Sequence, residues 1–270
     1  MTNRDKDFVG SIPEIYDAFL VPLIFETYAE DLADRVSALQ PLAILETAAG
    51  SGVVSRALAS ALSSESRYTA TDLNQPMLEH AASQQDADTR ITWQQADAMD
   101  LPFDDASFDA VVCQFGIMFY PDRIAGYAEA YRVLKPGASL IFNVWDRIET
   151  NEFADVVTAA AAEVFPDDPP RFLPRTPHGY YDEGLIREEL SVAGFADVNY
   201  ESLDAISSAP SPRHPAVAYC QGTPLRNEIE ERDANLLDHV TDRAADAIAE
   251  RFGSGQVATG IRGHVITATR

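Results

Sequence analysis

Between residues 41 and 146 short apolar runs alternate with stretches of helical spacing, and no other feature restricts the fold of this 270-residue chain as tightly. "LAILE" (42–46) is apolar without interruption up to its final acid, as a strand covered on both faces must be. In "VVSRALASAL" (53–62), Val54, Leu58 and Leu62 recur at intervals of four on one helical face. "YTATD" (68–72) predicts a second strand, and "QPMLEHAASQ" (75–84) a helix with proline in its first turn. "ITWQQAD" (91–97) and "FDAVVCQF" (108–115) predict a third and a fourth strand. "IAGYAEAYRVL" (124–134) predicts a helix ended by "KPG", and "ASLIFNVWD" (138–146) a fifth strand. Alternation at this interval implies right-handed crossovers, hence an α/β fold with a doubly wound, mostly parallel sheet.

Past residue 146 the rhythm changes. "EFADVVTAAAAEVF" (152–165) predicts a helix, and the proline-rich "PDDPPRFLPRTPHGYY" (166–181) a loop or lid. "DEGLIREELSVAGF" (182–195) is a helix stopped by Gly194, followed by a strand in "ADVNYESL" (196–203). "SSAPSPRHP" (207–215) is rich in breakers, residues 216 to 252 read as two helices, and "GHVITATR" (263–270) as a β-branched strand. The stretch between these last two strands is too long for a hairpin turn, so 205–258 is expected to fold as a helical cap. The whole chain, 1–270, reads as a single domain: a helical cover (1–40), a core (41–146), a helix and lid (147–181), and the cap.

Forty-three acids against 20 bases give a formal charge of −23, which repels phosphate backbones and anionic headgroups. Neither nucleic acid nor a membrane is expected as a partner; the partner is a small molecule, and the oligomeric state is left open. The start, "MTNRDKDFVG", does not read as a secretory signal, and "FLVPLIF" (19–25), interrupted by Pro22, is far shorter than a membrane span. The expected location is therefore cytoplasmic. Cys113 and Cys220 have no spacing that suggests a disulfide framework or a zinc site and are expected as small buried hydrophobes.

"ETAAGSG" (46–52) places small residues where the first buried strand ends. Ala48, Ala49, Gly50 and Gly52 leave the turn's amides uncovered beside the positive end of the next helix. Ligands of open parallel sheets bind there, outside the carboxyl ends of strands where their order reverses. Glu46 would oppose a pyrophosphate and suits a cationic ammonium group. Asp72 ends the second strand twenty residues past Gly52, where a carboxylate can accept from two ribose hydroxyls. Asp97, at the end of the third strand, is placed to accept from an exocyclic adenine amine. Each acid alone reads equally well as a cap of the next element. Three at successive strand ends point to one crevice.

These residues carry a resemblance. "ILETAAGSG" resembles the first motif of the class I S-adenosylmethionine-dependent methyltransferases, and "TATDLNQPML" is similar to their second. "QADAMDLPFDDASFDAVVCQFGIMFYPD" (95–122) resembles the third and fourth, and "EAYRVLKPGASLIFNVW" (129–145) the fifth-strand region. The resemblance implies a seven-stranded Rossmann-like sheet, S-adenosylmethionine as cofactor, and methyl transfer to a small, partly apolar molecule whose acceptor atom (O, N or C) is unresolved. It also implies cofactor contacts from Tyr16, Glu46, Ala48, Gly50, Gly52, Asp72, Leu73, Met77, Asp97, Ala98 and Gln114. Ala48 is a departure, since many members carry glycine there, and it puts the closest backbone approach in doubt.

Two alternatives stand beside this reading. A nicotinamide-dependent oxidoreductase would want G-x-G-x-x-G, whereas the chain has Ala48, Gly50, Gly52 and Ser55, and Glu46 and Asp97 disfavour it. The other is a protein that binds S-adenosylmethionine without turnover. In methyl transfer the sulfonium carries the chemistry, leaving the protein to align the reactants in a dry, aromatic chamber. Phe115, Phe119, Trp145 and Tyr180 are the candidate substrate walls, with Phe8, Phe19 and Tyr181 as further aromatics; each reads equally as packing. His178 in "TPHGYY" is the candidate general base, while His80, His214, His239 and His264 read as structural. Asp146 has no companion acids at the spacing of a magnesium site, so no metal is expected.

Overall fold

Strand β1 (Ala43–Glu46) is buried at all four positions, the reason its sequence is apolar up to the acid. The computed structural model describes residues 12–85 and 88–270. Ahead of β1 come α1 (Ile12–Ile15), a π-helical stretch (Tyr16–Phe25) and α2 (Glu26–Ala38). Pro22, which conflicts with α-helical hydrogen bonding, sits inside the wider π winding. After β1 follow α3 (Val53–Ala61), β2 (Arg67–Asp72), α4 (Gln75–Gln84), β3 (Ile91–Gln95), β4 (Phe108–Gln114), α5 (Arg123–Val133) and β5 (Leu134–Trp145). Then come α6 (Glu152–Val164), α7 (Phe172–Arg175), α8 (Glu183–Val192), β6 (Asp197–Ala209), α9 (Arg213–Gln221), α10 (Leu225–Asp233), α11 (Leu237–Phe252) and β7 (Val257–Thr269).

The seven strands form one sheet in the order β3-β2-β1-β4-β5-β7-β6. Pairs β1–β2, β1–β4, β2–β3 and β4–β5 are parallel, as right-handed strand–helix–strand crossovers require. β7 runs antiparallel to β5: Gly137 donates to Arg270 O at 2.9 Å and Asp146 to Arg262 O at 3.1 Å, partners that advance in opposite senses. β2 and β3 lie to one side of β1 and β4 to the other, so the order reverses between β1 and β4. That reversal fixes where the crevice opens.

Several boundaries differ from the sequence reading. β5 begins at Leu134, directly after α5, and takes in Pro136 and Gly137, the latter at φ +82°. β6 and β7 are each 13 residues long, so the start of "SSAPSPRHP" is strand rather than loop. The cap carries three helices instead of two, because the Asp233 side chain accepts from Asn235 N at 2.9 Å and a short 3-10 turn (Ala234–Leu236) divides the second. The lid contains the single turn of α7.

The chain divides into two compact units where the sequence reads as one domain. The first takes the described residues up to Glu26, with Trp145–Tyr180 and Asp204–Gly263; the second takes Thr27–Val144, Tyr181–Leu203 and His264–Arg270. In the second, Val54 and Leu58 of α3 pack with Leu32, Ile44, Tyr68, Ala110 and Val112 around β1, the face that their fourfold spacing predicts. In the first, Phe153 of α6 meets Phe252 of α11 edge to face, ring centroids 5.2 Å apart. Cys113 and Cys220 are free thiols and fully buried. Among the described residues no helix is long and apolar enough to cross a membrane.

Candidate functional site

The turn after β1 is shaped by backbone conformation. Ala48, Gly50 and Gly52 have φ of +53°, +56° and +80°, so every second residue is left-handed. Ala49 N donates to Thr71 O at 2.9 Å, tying the turn to β2, and Gly52 caps the start of α3. At Gly52 glycine is needed twice over, since a Cβ would lie 3.0 Å from Ala81 Cβ and 3.2 Å from the Trp93 ring. Ala48 holds a conformation that costs a side-chain-bearing residue roughly 1–2 kcal/mol. Its methyl faces β4: a Cβ on Gly116 would come within 2.5 Å of it and within 2.8 Å of Cys113 Sγ. Gly116 thus makes the room that alanine in place of glycine requires.

The three acids of the strand ends all belong to the second unit. Glu46 is 1% exposed and accepts on one oxygen, Oε2, from Ser55 Oγ at 2.5 Å and from Tyr68 OH. Burial pushes its carboxyl up to about 7, with Asp72 adding to the shift and the two hydroxyl donors and Arg56 opposing it. Asp72, 7% exposed, accepts from Gly50 N at 2.9 Å through Oδ2 and from Asn74 N at 2.8 Å through Oδ1. Burial also raises its carboxyl, against those amide donors. Asn74 Nδ2 donates to Oδ1 as well, at 3.3 Å, and the Leu73 backbone adds to the donors that hold the carboxylate. Asp97 lies two residues beyond β3 and accepts from Met99 N at 2.9 Å.

The exits of β1, β2 and β3 are joined. Met77, 3% exposed, lies beneath Gly50, whose Cβ position is 3.7 Å from Met77 Cε. Ala96 N donates to Asp72 O at 3.0 Å, and Gln95 Nε2 to Leu73 O at 2.8 Å. Leu73 is 38% exposed, and Asp97 and Ala98 are half-buried. On the β4 side, Gln114 ends the strand and pairs in register with Asn143 of β5. Phe115, buried and at φ +49°, stacks edge to face with Tyr28 at 5.2 Å, and Phe119 closes the short turn that follows.

Tyr16, Trp145, His178 and Tyr180 belong to the first unit. There Tyr16 stacks on Phe25 (5.1 Å), Phe25 lies 5.9 Å from Trp145, and Trp145 6.2 Å from His178, a row of rings. Tyr180 is 3% exposed. His178 Nδ1 is 2.9 Å from Asp146 O; a carbonyl only accepts, so Nδ1 carries the proton and Nε2 the lone pair. Burial pushes its pKa down to about 4, and the ring is neutral. Phe19 packs on His214 at 4.9 Å, Tyr181 in the second unit is 41% exposed, and Phe8 lies outside the described residues.

Sequence reasoning missed Ser55 and Tyr68, which orient Glu46, and Asn143, which bonds Phe115 N. Asn143 had a signal, a lone amide inside the apolar run "LIFNVW". The turn also holds an orphan, since Ser51 Oγ is buried with no hydrogen-bond partner among the described residues. An unpaired hydroxyl, left-handed glycines and carboxylates of different strands suit an aminoacyl nucleoside, a cation at one end and ribose hydroxyls at the other.

Residues 44–137 match the family described as a methyltransferase domain. A demethylmenaquinone methyltransferase of Clavibacter sepedonicus is 30% identical over 177 residues, 60% of this chain and 69% of that protein. One of Porphyromonas gingivalis is 32% identical over 176 residues, 60% and 71% of the two chains. The YcgJ protein of Bacillus subtilis superposes with a TM-score of 0.58 over 90% of this chain and 98% of that one; at 17% identity the likeness is of fold alone. These relatives decide among the three sequence readings. The chain belongs to the class I S-adenosylmethionine-dependent methyltransferases, and it transfers a methyl group from that cofactor to a small, partly apolar molecule.

Proposed function

We propose that the acceptor is an electron-rich ring of the quinol type and that the methyl group goes to a ring carbon; the methyl–sulfur bond breaks to leave S-adenosylhomocysteine, and the displaced ring proton passes to solvent as the ring regains aromaticity. The observation that carries this reading is the kinship with two demethylmenaquinone methyltransferases over 60% of the chain. The formal charge of −23 supports a small-molecule acceptor over nucleic acid.

The proposed division of labour follows from the residues. Asp72 accepts from the ribose hydroxyls, Asp97 from the adenine amine, and Glu46 takes the ammonium on Oε1, the oxygen that Ser55 and Tyr68 leave open. Leu73, Met77 and Ala98 flank the base, and Gly50 and Gly52 bring the backbone close, with Ala48 turned toward Gly116. Gln114 serves the methionine end. When bound, S-adenosylmethionine supplies a methyl group already electrophile enough for transfer. The chain contributes alignment and exclusion of water. Phe115 and Phe119 are the proposed walls for the acceptor ring. His178, in the other unit, is neutral with a lone pair on Nε2, and a base of pKa about 4 is too weak to remove a phenolic proton.

The test uses methyl-labelled cofactor with three acceptors under reducing conditions: a demethylated naphthoquinol with a short prenyl tail, a catechol and a small primary amine. Label on a ring carbon of the naphthoquinol supports the reading. Label confined to oxygen or nitrogen overturns it.

A further inference from the structure

The exit of β4 is held in a strained conformation by a residue of the neighbouring strand. Phe115 is left-handed at φ +49°, a conformation that bulky residues adopt only when their surroundings impose it. Its N–H donates both to Asn143 Oδ1 at 2.9 Å and to Asn143 O at 3.2 Å. Asn143 is fully buried, and its Nδ2 has no hydrogen-bond partner among the described residues. A buried, unpaired amide donor is costly, and an aliphatic residue within "LIFNVW" would avoid the cost. What the amide offers in exchange is the second acceptor for Phe115 N. The next residue, Gly116, is the one fitted against the methyl of Ala48, so Phe115 directly precedes the contact between the β4 exit and the turn after β1.

We propose that Asn143 is a positioning residue for methyl transfer, its side-chain oxygen holding Phe115 in the left-handed conformation that sets Gln114 and Gly116 against the β1 turn. The proposal rests on the reading of Gln114 as a cofactor contact. Its test reads S-adenosylhomocysteine binding, which needs no acceptor, so it stands or falls separately from the quinol assignment.

Calorimetry should show Asn143→Leu weakening S-adenosylhomocysteine binding by about tenfold, and Asn143→Asp, which keeps an oxygen for Phe115 N, by less than about threefold. Glycine accepts a positive φ without steric cost, so in a Phe115→Gly background the added effect of Asn143→Leu should shrink to less than about threefold. Unchanged binding in a folded Asn143→Leu protein overturns the proposal, as does an equal loss in both backgrounds, which is what mere packing would give. If thermal melting shows that Asn143→Leu does not fold, Asn143→Ala in the same two backgrounds replaces it with the same two readings.

Discussion

Glu46 makes the stability of the ligand-free protein fall as pH rises through neutrality. Burial at the end of β1 lifts its carboxyl from 4.5 to about 7. Between those two values the folded state holds a proton that the unfolded state has released. The stabilisation is therefore complete below pH 4.5 and is lost as pH rises toward and through 7. At 1.36 kcal/mol per pH unit, the loss comes to about 3 kcal/mol. Glu46→Gln keeps a carbonyl oxygen for the Ser55 and Tyr68 hydroxyls and cannot ionise. Urea unfolding of both proteins at pH 5, 6, 7 and 8 isolates the effect, because groups common to both cancel in the difference. The variant should gain on the wild type by about 3 kcal/mol between pH 5 and pH 8. Parallel stability curves would refute the argument that burial dominates this carboxyl. The same carboxyl links pH to ligand: S-adenosylhomocysteine binding by the wild type should strengthen up to about pH 7 and level off above it, and Glu46→Gln should lose that dependence.

Asp72→Ala should weaken S-adenosylhomocysteine binding by about 1.5–3 kcal/mol, read by calorimetry, since it removes charge-assisted hydrogen bonds; unchanged affinity would exclude Asp72 from the site. Gly52→Ala should destabilise the fold by about 1–3 kcal/mol in urea unfolding, from the strain at φ +80° and the 3.0 Å approach to Ala81. His178 has a folded pKa of about 4, below its unfolded 6.5, so its contribution is present above pH 6.5 and lost as pH falls toward 4. In His178→Phe the fall in stability over that window should be shallower by about 3 kcal/mol, and an unchanged slope would mean that the imidazole is not buried neutral.

The core was legible because each buried parallel strand must be written in apolar residues and each crossover helix in a fourfold repeat, as β1 and α3 show. Glu46 and Asp72 were legible because they close β1 and β2, whereas Asp97 lies two residues past the end of β3. What the sequence hid was set by tertiary neighbours. Nothing around Tyr68 signals that its hydroxyl turns to Glu46 on the adjacent strand. The left-handed conformations of Ala48 and Phe115 contradict local preference and exist because Gly116 and Asn143 accommodate them. The length of β6 was hidden by the serines and prolines near its end, and by exposure along most of the strand, which removes the apolar alternation. His178 looked like a base in a lid and is a buried ring bonded to the backbone at Asp146.

β7, made after the other six strands of the described sheet, lies inside it between β5 and β6. A nascent chain that has extruded β6 has no place to seat it, because the neighbour it needs is still behind three helices of untranslated sequence. Until then the far side of β5 and both sides of β6 present unpaired backbone to other chains on the ribosome. Asp197, Glu201 and Asp204 along β6 put like charges on that waiting strand, the kind of charged edge that disfavours pairing between copies.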